Sequence, residues 1–543
     1  MNLEKPYLAI VFCLLLFLGV GNLWDHRLSH DFPFGYLASD TFQQQTRAEG
    51  IMDAGSYRYE PSYIVKGYSD VVGYYPSVLH HLGILLHYAS GVPLYDTVYF
   101  IVFLAALGAV FAMYLIIRSV SRQAAIVALP LSLLLFSNKS YIGFLWGHWA
   151  AIVGQMFLIC IAWALLRQDM EKSWILLGIF MGALALSHTS ELLYGVVLVT
   201  LFGLYLLLTK QLTRRFVIGV MYAAAISTAL AFYNLLIFIQ SFQVINPYTF
   251  SVSKDWGGTP IFLITDFGIL LIVMAVGIVA GLLMFRKAAL PVLFGLLMLG
   301  IGYTNYIGFG IRAFQPRLFW PVYFMFFFGM GIYFLLRFIP EKMRALSGFG
   351  VAGVFLLIFS GSLTVPLVPA YNEVKSPGLM DVWHWDAFQW ISKNTPPDSN
   401  IYFFYGDIYN QDALLRNSKR THGQVVPEEL IALIQNQSIK REFWTEMPAD
   451  HGAGMPYWDS FLKIKLHMRE DREDIVHQPI QDICRFDYFV FDKASRQEAF
   501  AQYNILIANE MIGKGASVAF QNDLIVILRN NAKGGDCIEE RTF

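Results

Sequence analysis

Eleven apolar stretches of helix length fill about the first 370 residues of this 543-residue chain. Each is close to the roughly 20 residues that cross about 30 Å of hydrocarbon as a helix. The composition agrees, since 56% of the residues are hydrophobic and the mean hydropathy is +0.49. The sequence therefore predicts an all-α polytopic membrane domain. The predicted spans are 7–24, 97–117, 123–137, 147–166, 174–187, 192–209, 216–239, 261–285, 288–309, 318–336 and 347–369.

Charge patterning predicts the orientation of these spans. Lys and Arg favour the cytoplasmic side when they lie in short loops, and here they gather in alternate loops. The N-terminus, with Lys5, is then inside, and an odd number of spans puts the C-terminal tail outside the plasma (cytoplasmic) membrane. A net charge of −1 without basic runs predicts no nucleic-acid partner. The basic loops hold Arg118 and Arg122; Arg167 and Lys172; Lys210, Arg214 and Arg215; Arg286 and Lys287; and Arg337, Lys342 and Arg344.

The composition becomes polar after Tyr371, which predicts two domains, 1–370 in the membrane and 371–543 outside it. The polar part has stretches typical of helices and short runs typical of strands. It is predicted to be a small extracytoplasmic α/β domain. The helix-like stretches are Asp386–Asn394 and Pro427–Gln435, and the strand-like runs are Asn400–Tyr405, Tyr488–Phe491 and Leu524–Leu528.

Two of the four cysteines, Cys484 and Cys537, fall in this polar domain. An oxidising compartment would permit a disulfide between them. Two cysteines can equally remain unpaired as small hydrophobic residues. The sequence leaves both alternatives open.

The long loop 25–96 is rich in carboxylates and histidines, which a protein that only packs would not need. The segment Tyr36-Leu-Ala-Ser-Asp-Thr-Phe-Gln-Gln-Gln-Thr-Arg-Ala-Glu-Gly50 follows the first span. Tyr74-Tyr-Pro-Ser-Val-Leu-His-His-Leu-Gly83 begins a helix expected along the outer interface. Together they resemble the GT-C glycosyltransferases, polytopic enzymes that take a sugar from a polyprenyl-phosphate carrier. The resemblance covers most of the chain and rests on short motifs and architecture.

In the GT-C superfamily the first outer loop holds a catalytic acidic residue near the end of the first span. Asp40, in a Ser-Asp-Thr-Phe context, matches that position best, and Asp31 is the rival. A carboxylate there would act as the general base toward an acceptor hydroxyl. The alternative is that Asp40 caps a helix over Thr41–Met52. The two roles are compatible.

A lipid-phosphate donor leaves a phosphate whose growing negative charge needs cationic partners. Arg312 and Arg317 lie in a predicted outer loop, against the positive-inside bias. Guanidinium groups suit phosphate oxygens. We expect at least one of them to bind the donor phosphate, with Arg317 ahead because it abuts the tenth span. The alternative is contact with lipid headgroups.

Further ionisable residues lie at the outer ends of spans and are candidates for lining the donor or acceptor cavity. His188 and Glu191 are three residues apart, so they share one face if that turn is helical. His148 lies in Trp146-Gly-His-Trp149. His80 and His81 are weaker candidates, because a histidine on an interfacial helix is usually just amphipathic.

Metal dependence is not favoured, and no cofactor is expected. The oligosaccharyltransferase branch that this architecture resembles holds a metal partly through Asp-x-Asp in the second outer loop. Here that loop, Ser137–Trp146, has no carboxylate. Where the branch has Trp-Trp-Asp-Tyr-Gly, this chain has Tyr402-Phe-Phe-Tyr-Gly-Asp407. Both departures argue against glycosylation of asparagine sequons.

The resemblance implies an inverting glycosyltransferase that uses a polyprenyl-phosphate-linked sugar donor in the membrane lipid. The acceptor would be a hydroxyl on a glycan, a lipid or a protein. Two other classes stay open: a non-catalytic GT-C-like scaffold subunit, and a transporter or flippase of lipid-linked glycan. A transporter would show inverted repeats and broken helices, and no convincing internal repeat is present.

Overall fold

The structure is a computed structural model that describes residues 3–64, 71–72, 75–137, 142–170, 172–244, 267–303, 319–363, 378–404, 406–409, 412–424, 442–443, 481–495, 498–535 and 537. Every structural feature given below lies in these ranges. Arg312, Arg317 and the predicted helix Pro427–Gln435 lie outside them.

Apolar helices dominate the described chain up to residue 363, and each of the eleven predicted spans corresponds to one. Six helices are long and apolar enough to cross a membrane, and five more are shorter. The predicted polytopic helical domain is confirmed. The helices are α1 (Glu4–Trp24), α2 (Ser39–Ala54), α3 (Val78–Ser90), α4 (Leu94–Val120), α5 (Arg122–Ala128), α6 (Ile142–Leu145), α7 (Trp149–Leu166), α8 (Ser173–Ala185), α9 (Thr189–Leu208), α10 (Arg214–Val244), α11 (Leu270–Leu283), α12 (Phe285–Gly302), α13 (Trp320–Tyr323), α14 (Met325–Leu336) and α15 (Glu341–Phe359).

Glycines allow α11 and α14 to pack with their backbones in contact. A Cβ atom on Gly277 would lie 1.6 Å from the Phe327 carbonyl oxygen, and one on Gly331 would lie 2.1 Å from the Val273 carbonyl oxygen. Lipid tails are as apolar as the helices, so helix association in a membrane relies on such close packing. Any side chain at either glycine would separate the two helices.

Contacts among the predicted cytoplasmic loops gather them at one end of the bundle. Glu4 accepts hydrogen bonds from Arg118 Nε at 2.5 Å and from Arg122 Nε at 2.6 Å, which ties the N-terminus to the loop after α4. Arg215 donates to the carbonyl of Asp169 at 3.1 Å. Two pairs of the segments that the charge pattern places on one side are therefore in contact.

The opposite end of the bundle carries the long loop 25–96, and we call it the loop end. The Leu37 N–H donates to the Leu145 carbonyl at 3.0 Å, and the Val78 N–H donates to the Leu186 carbonyl at 3.1 Å. These bonds attach the segments before α2 and α3 to turns between the spans. The long loop is therefore fixed to the bundle by its backbone.

The C-terminal part forms a five-stranded mixed sheet in the order β4-β3-β7-β9-β8. Strand β3 is parallel to both neighbours, whereas β9 is antiparallel to β7 and β8. All three predicted strands and the first predicted helix are present. The strands are β1 (Tyr59–Glu60), β2 (Val71–Val72), β3 (Asn400–Phe403), β4 (Thr421–Gln424), β5 (Glu442–Phe443), β6 (Gln481–Asp482), β7 (Tyr488–Asp492), β8 (Ser517–Gln521) and β9 (Ile525–Arg529), with helices α16 (Val382–Asn394), α17 (Asp412–Leu415) and α18 (Glu498–Gly513).

Cys484 and Cys537 form a disulfide, which settles the alternative that the sequence left open. Both residues are buried on the sheet face that α18 covers, in a core with Phe489 and Met511. The bond closes a loop with a sequence separation of 53 residues. A cross-link over a loop of this length lowers the entropy of the unfolded chain, which stabilises the fold by about 4 kcal/mol.

The C-terminal part holds α2 at both ends. Before the helix, the Leu379 N–H donates to the Tyr36 carbonyl at 2.7 Å. Along the helix, Gln45 donates to Asn417 Oδ1 at 2.7 Å in a buried contact. Near the helix C-terminus, Lys419 Nζ lies 2.9 Å from Asp53 Oδ2, and it also reaches Glu49. The sheet domain is thus anchored to the loop end through α2.

A buried charge network joins α16 to the sheet. His384 donates from Nδ1 to Asp381 Oδ2 at 2.7 Å and from Nε2 to Asp492 Oδ2 at 3.2 Å. Burial alone would lower the His384 pKa, but the two carboxylates outweigh it and raise the pKa to about 9. The imidazolium is therefore the stable form at neutral pH.

The pH dependence of unfolding tests this network. Because the folded pKa of about 9 lies above the ordinary value of 6.5, protonation stabilises the fold fully below about pH 6.5, and this stability is lost as the pH rises through 9. The pKa difference corresponds to about 3 kcal/mol. We expect the unfolding temperature of the wild type to fall between pH 6.5 and 9 by roughly 5 °C more than that of His384→Gln.

His26→Gln is the matched control, because His26 is exposed. The unfolding temperature of His26→Gln should change with pH as that of the wild type does. Parallel wild-type and His384→Gln curves would contradict the proposed role of the network.

Candidate active site

Helix α2 is polar and yet buried. Gln43, Gln44, Gln45, Thr46 and Arg47 are each at most 5% exposed. Side chains of these types are mostly exposed in proteins, and burying them is costly unless they are hydrogen-bonded. A helix with this composition therefore presents polar groups to an interior site.

Asp40 lies in the first turn of α2, at the loop end. The N-cap of the helix is Ala38, without a side-chain cap, so the alternative in which Asp40 caps the helix is wrong. Gly147, with φ at +78°, packs against the Asp40 backbone so closely that a Cβ would lie 2.4 Å from its carbonyl carbon. The N-terminus of a helix also favours the ionised carboxylate. Asp40 is half-buried.

The pKa of Tyr75 is shifted by the charges of several residues. Tyr75 is half-buried. The loss of solvent around its phenol raises its pKa, and the charges of Asp40 and Glu191 raise it further, whereas Arg47 and the hydrogen bond from Gln44 lower it. Two carboxylates from different segments, one on α2 and one at the start of α9, thus act on one ring. Asp40 and Glu191 are therefore both close enough to Tyr75 to raise its pKa.

Arg47 lies over the Tyr75 ring, with its guanidinium carbon 4.4 Å from the ring centroid. The side chain is buried, and within the part of the chain that the structure describes its Nε and Nη1 atoms have no hydrogen-bond partner. A desolvated cation–π contact is worth about 2 kcal/mol, whereas a buried charge left without its partner costs about 3–5 kcal/mol. The ring therefore offsets only part of the cost of burying the Arg47 charge.

His80 is held by α2 as a neutral side chain. Its Nε2 lies 3.0 Å from Gln44 Oε1. Burial, followed by the nearby charges of Arg47 and His81, lowers the His80 pKa to about 3. His80 is thus a neutral hydrogen-bonding group at pH 7 and does not add a second cation beside Arg47.

His81 faces a different cavity, of about 280 Å³, at the junction of α3 and α10. Its Nδ1 is 2.8 Å from the Ser77 carbonyl. The Tyr57 ring makes edge contacts with His81 and Tyr233 there. His80 and His81 are adjacent in sequence, but helical geometry turns them toward separate spaces.

Glu191 is fully buried in the first turn of α9 and pairs with His188. The two residues therefore interact, but His188 is the extended N-cap residue of α9, so they do not share a helical face as the spacing suggested. A Cβ on Gly154 would lie 3.4 Å from the Glu191 side chain, so α7 leaves space for this carboxylate. One residue along α7, Gln155 accepts a hydrogen bond from the Tyr323 hydroxyl at 3.0 Å.

The other predicted site residues occupy different positions. His148 lies in the turn before α7, half-buried, beside Gly147 and the first turn of α2. Asp31 is exposed, and its charge acts on Tyr95 at the start of α4 instead of on Tyr75. Arg312 and Arg317 lie outside the described residues.

Three groups at this site were not predicted from the sequence: Gln44, Arg47 and Tyr75. The available signal was the spacing Asp40, Gln44, Arg47, which places all three on one helical face. In the part of the chain that the structure describes, no cluster of three or more His, Cys, Asp or Glu side chains is arranged to hold a metal.

Comparison with known proteins gives one kind of match. No family model and no curated protein matches the sequence. Solved structures match nearly the whole chain. ArnT from Cupriavidus metallidurans bound to undecaprenyl phosphate is 12% identical, with a TM-score of 0.52 over 97% of this chain and 98% of ArnT. ArnT in the apo state is 13% identical, with a TM-score of 0.53 over 97% of each chain.

The archaeal oligosaccharyltransferase AglB from Archaeoglobus fulgidus, in complex with an inhibitory peptide and a dolichol-phosphate, is 10% identical. Its TM-score is 0.50 over 91% of this chain and 70% of AglB. ArnT and AglB are GT-C membrane glycosyltransferases. The chain therefore has the GT-C fold that its first loop implied.

Proposed function

We propose that this protein is an inverting GT-C glycosyltransferase that moves a sugar from a polyprenyl-phosphate donor to an acceptor hydroxyl. The observation that carries the proposal is the cluster at the loop end, in which Arg47 lies over the Tyr75 ring, Gln44 donates to the Tyr75 hydroxyl, and Asp40 lies one turn before Gln44 on α2. The fold adds support, because ArnT, which matches 97% of the chain, was solved with undecaprenyl phosphate bound.

Asp40 is the proposed general base. Its carboxylate takes the proton of the acceptor hydroxyl while that oxygen attacks the anomeric carbon from the face opposite the phosphate. A new carbon–oxygen bond forms, the bond from the anomeric carbon to the phosphate oxygen breaks, and polyprenyl phosphate leaves with the electron pair. One displacement inverts the anomeric centre. The contact with Gly147 fixes the Asp40 backbone for this task.

The leaving phosphate needs positive charge in the transition state. Arg317 and Arg312 keep their proposed role as the donor-phosphate ligands. His148 lies beside the first turn of α2, and the His188–Glu191 pair lies at the head of α9. We assign these three to the cavity wall, where they orient the sugar. His80 holds Gln44, and His81 lines the neighbouring cavity.

We place the loop end and the sheet domain on the outer side of the plasma membrane. This proposal rests on the positive-inside rule: the loops at the opposite end are basic, which favours the cytoplasmic side for them. The disulfide Cys484–Cys537 agrees with an oxidising compartment. The acceptor is a glycan, lipid or protein that reaches this side.

Substitution of Asp40 tests the proposal. Asp40→Asn keeps the size of the side chain but cannot accept the proton. We expect turnover, measured as release of polyprenyl phosphate from lipid-linked sugars by reconstituted protein, to fall about 10²–10⁴-fold with little change in donor affinity or unfolding temperature.

Asp31→Asn is the matched control, since it makes the same chemical change on an exposed residue of the same loop. It should retain most of the activity. An inactive, folded Asp31→Asn beside an active Asp40→Asn would exchange the two roles. Normal turnover by both variants would refute the assignment and favour the scaffold or transporter classes.

Chelation tests the proposal that no metal is required. The second outer loop, Ser137–Trp146, lacks carboxylates, so we expect transfer to persist in excess EDTA. Loss of transfer with EDTA and recovery with manganese or magnesium would contradict this and give Asp31, Asp40 or Glu191 the role of metal ligands.

A further inference from the structure

A small cavity beside α2 is lined by Arg47. Its volume is about 30 Å³, and its walls include Glu60, Tyr75, Ser77 and His80. A space of this size holds about two water molecules, which is comparable to a single carboxylate or part of a phosphate. It admits a charged substituent but not a whole sugar ring.

The chemistry of the cavity favours an anion with neighbouring hydroxyl groups. Arg47 is 5% exposed, and its Nε and Nη1 atoms have no hydrogen-bond partner among the described residues. The face of the guanidinium is covered by Tyr75, so a ligand approaches its edge, where the N–H donors point. Glu60 on the cavity wall suits a ligand that also carries hydroxyl donors, as a sugar does.

The position of the cavity separates it from the carrier lipid. The described residues that line the cavity all come from 47–80, within the long loop, and none of them belongs to an apolar span. A carrier phosphate must lie where its polyprenyl chain leaves the hydrocarbon, next to the spans. The cavity is therefore better placed for the water-soluble part of a substrate.

Asp40 and Arg47 are seven residues apart on one face of α2, which places their Cα atoms about 10 Å apart along the helix. This distance matches a sugar whose reacting centre lies near Asp40 and whose side group reaches Arg47. We infer that the Arg47 cavity binds an anionic substituent, a carboxylate or phosphate ester, on the sugar or acceptor, so that the substrate is an acidic glycan unit. This inference rests on the proposed function.

Binding of small probes to the purified full-length protein tests the inference without any transfer reaction. We expect glucuronate to raise the unfolding temperature, whereas glucose, which lacks the charge, should have little effect. Arg47→Gln should weaken glucuronate binding about 10- to 100-fold, the range for loss of a charged hydrogen bond. Arg58→Gln, which removes the same charge from an exposed residue of the same loop, should bind like the wild type.

Comparing glucuronate with farnesyl phosphate distinguishes an anion on a sugar from the phosphate of the carrier lipid. Farnesyl phosphate should bind equally well to the wild type and Arg47→Gln, because its phosphate is assigned elsewhere. Equal effects of glucuronate and glucose on the wild type would overturn the inference, even if Arg47→Gln fails to fold. A loss confined to farnesyl phosphate in Arg47→Gln would also overturn it and make the cavity a carrier-phosphate site.

The two proposals fail in distinguishable ways. Charge-dependent binding of glucuronate with no turnover by the wild type would count against the transferase function alone. Turnover with no charge-dependent binding would count against the Arg47 cavity alone. If glucuronate binds in the cavity, a labelled acidic acceptor or donor sugar should then be preferred over its neutral counterpart in the transfer assay.

Discussion

The structure depends on the attachment of one buried polar helix. Helix α2 follows the first span, packs against the turn at Gly147, and is held from the other side by the sheet domain through Gln45–Asn417 and Lys419–Asp53. A helix of this composition has little apolar surface to bury and is not stable through packing alone. Its position is therefore imposed by the domains on either side, and Asp40, Gln44 and Arg47 take their places from that position.

Much of the fold follows from local patterns in the sequence. The apolar runs predicted the spans because a bilayer allows helices of only one length class. Short β-branched and aromatic runs such as Tyr488–Phe491 predicted strands that the sheet contains. Strand β8 (Ser517–Gln521) was not predicted, since its residues are mostly exposed and it pairs only with β9. The Cys484–Cys537 bond was left open because it depends on tertiary distance.

The site was predictable only where the sequence itself carried a signal. Asp40 was found from its place behind the first span, and the His188–Glu191 pair from its spacing. Arg47 was passed over because a polar residue on a helix is usually exposed, and only the fold buries it against Tyr75. The effect of Glu191 on the Tyr75 pKa is likewise non-local, since it joins the first loop to the start of α9. Arg312 and Arg317 keep the status of sequence predictions.

The most direct test of the central claim is an experimental structure of the protein with a polyprenyl phosphate bound. In-line attack by a hydroxyl that contacts Asp40 limits the distance from the Asp40 carboxylate to the phosphorus atom to about 9 Å, as the sum of one hydrogen bond, one near-attack contact and two covalent bonds. We expect the phosphorus atom to lie within about 9 Å of the Asp40 carboxylate, at the loop end and next to the spans. A phosphate bound at the basic end of the bundle, near Arg118 and Arg122, would contradict it.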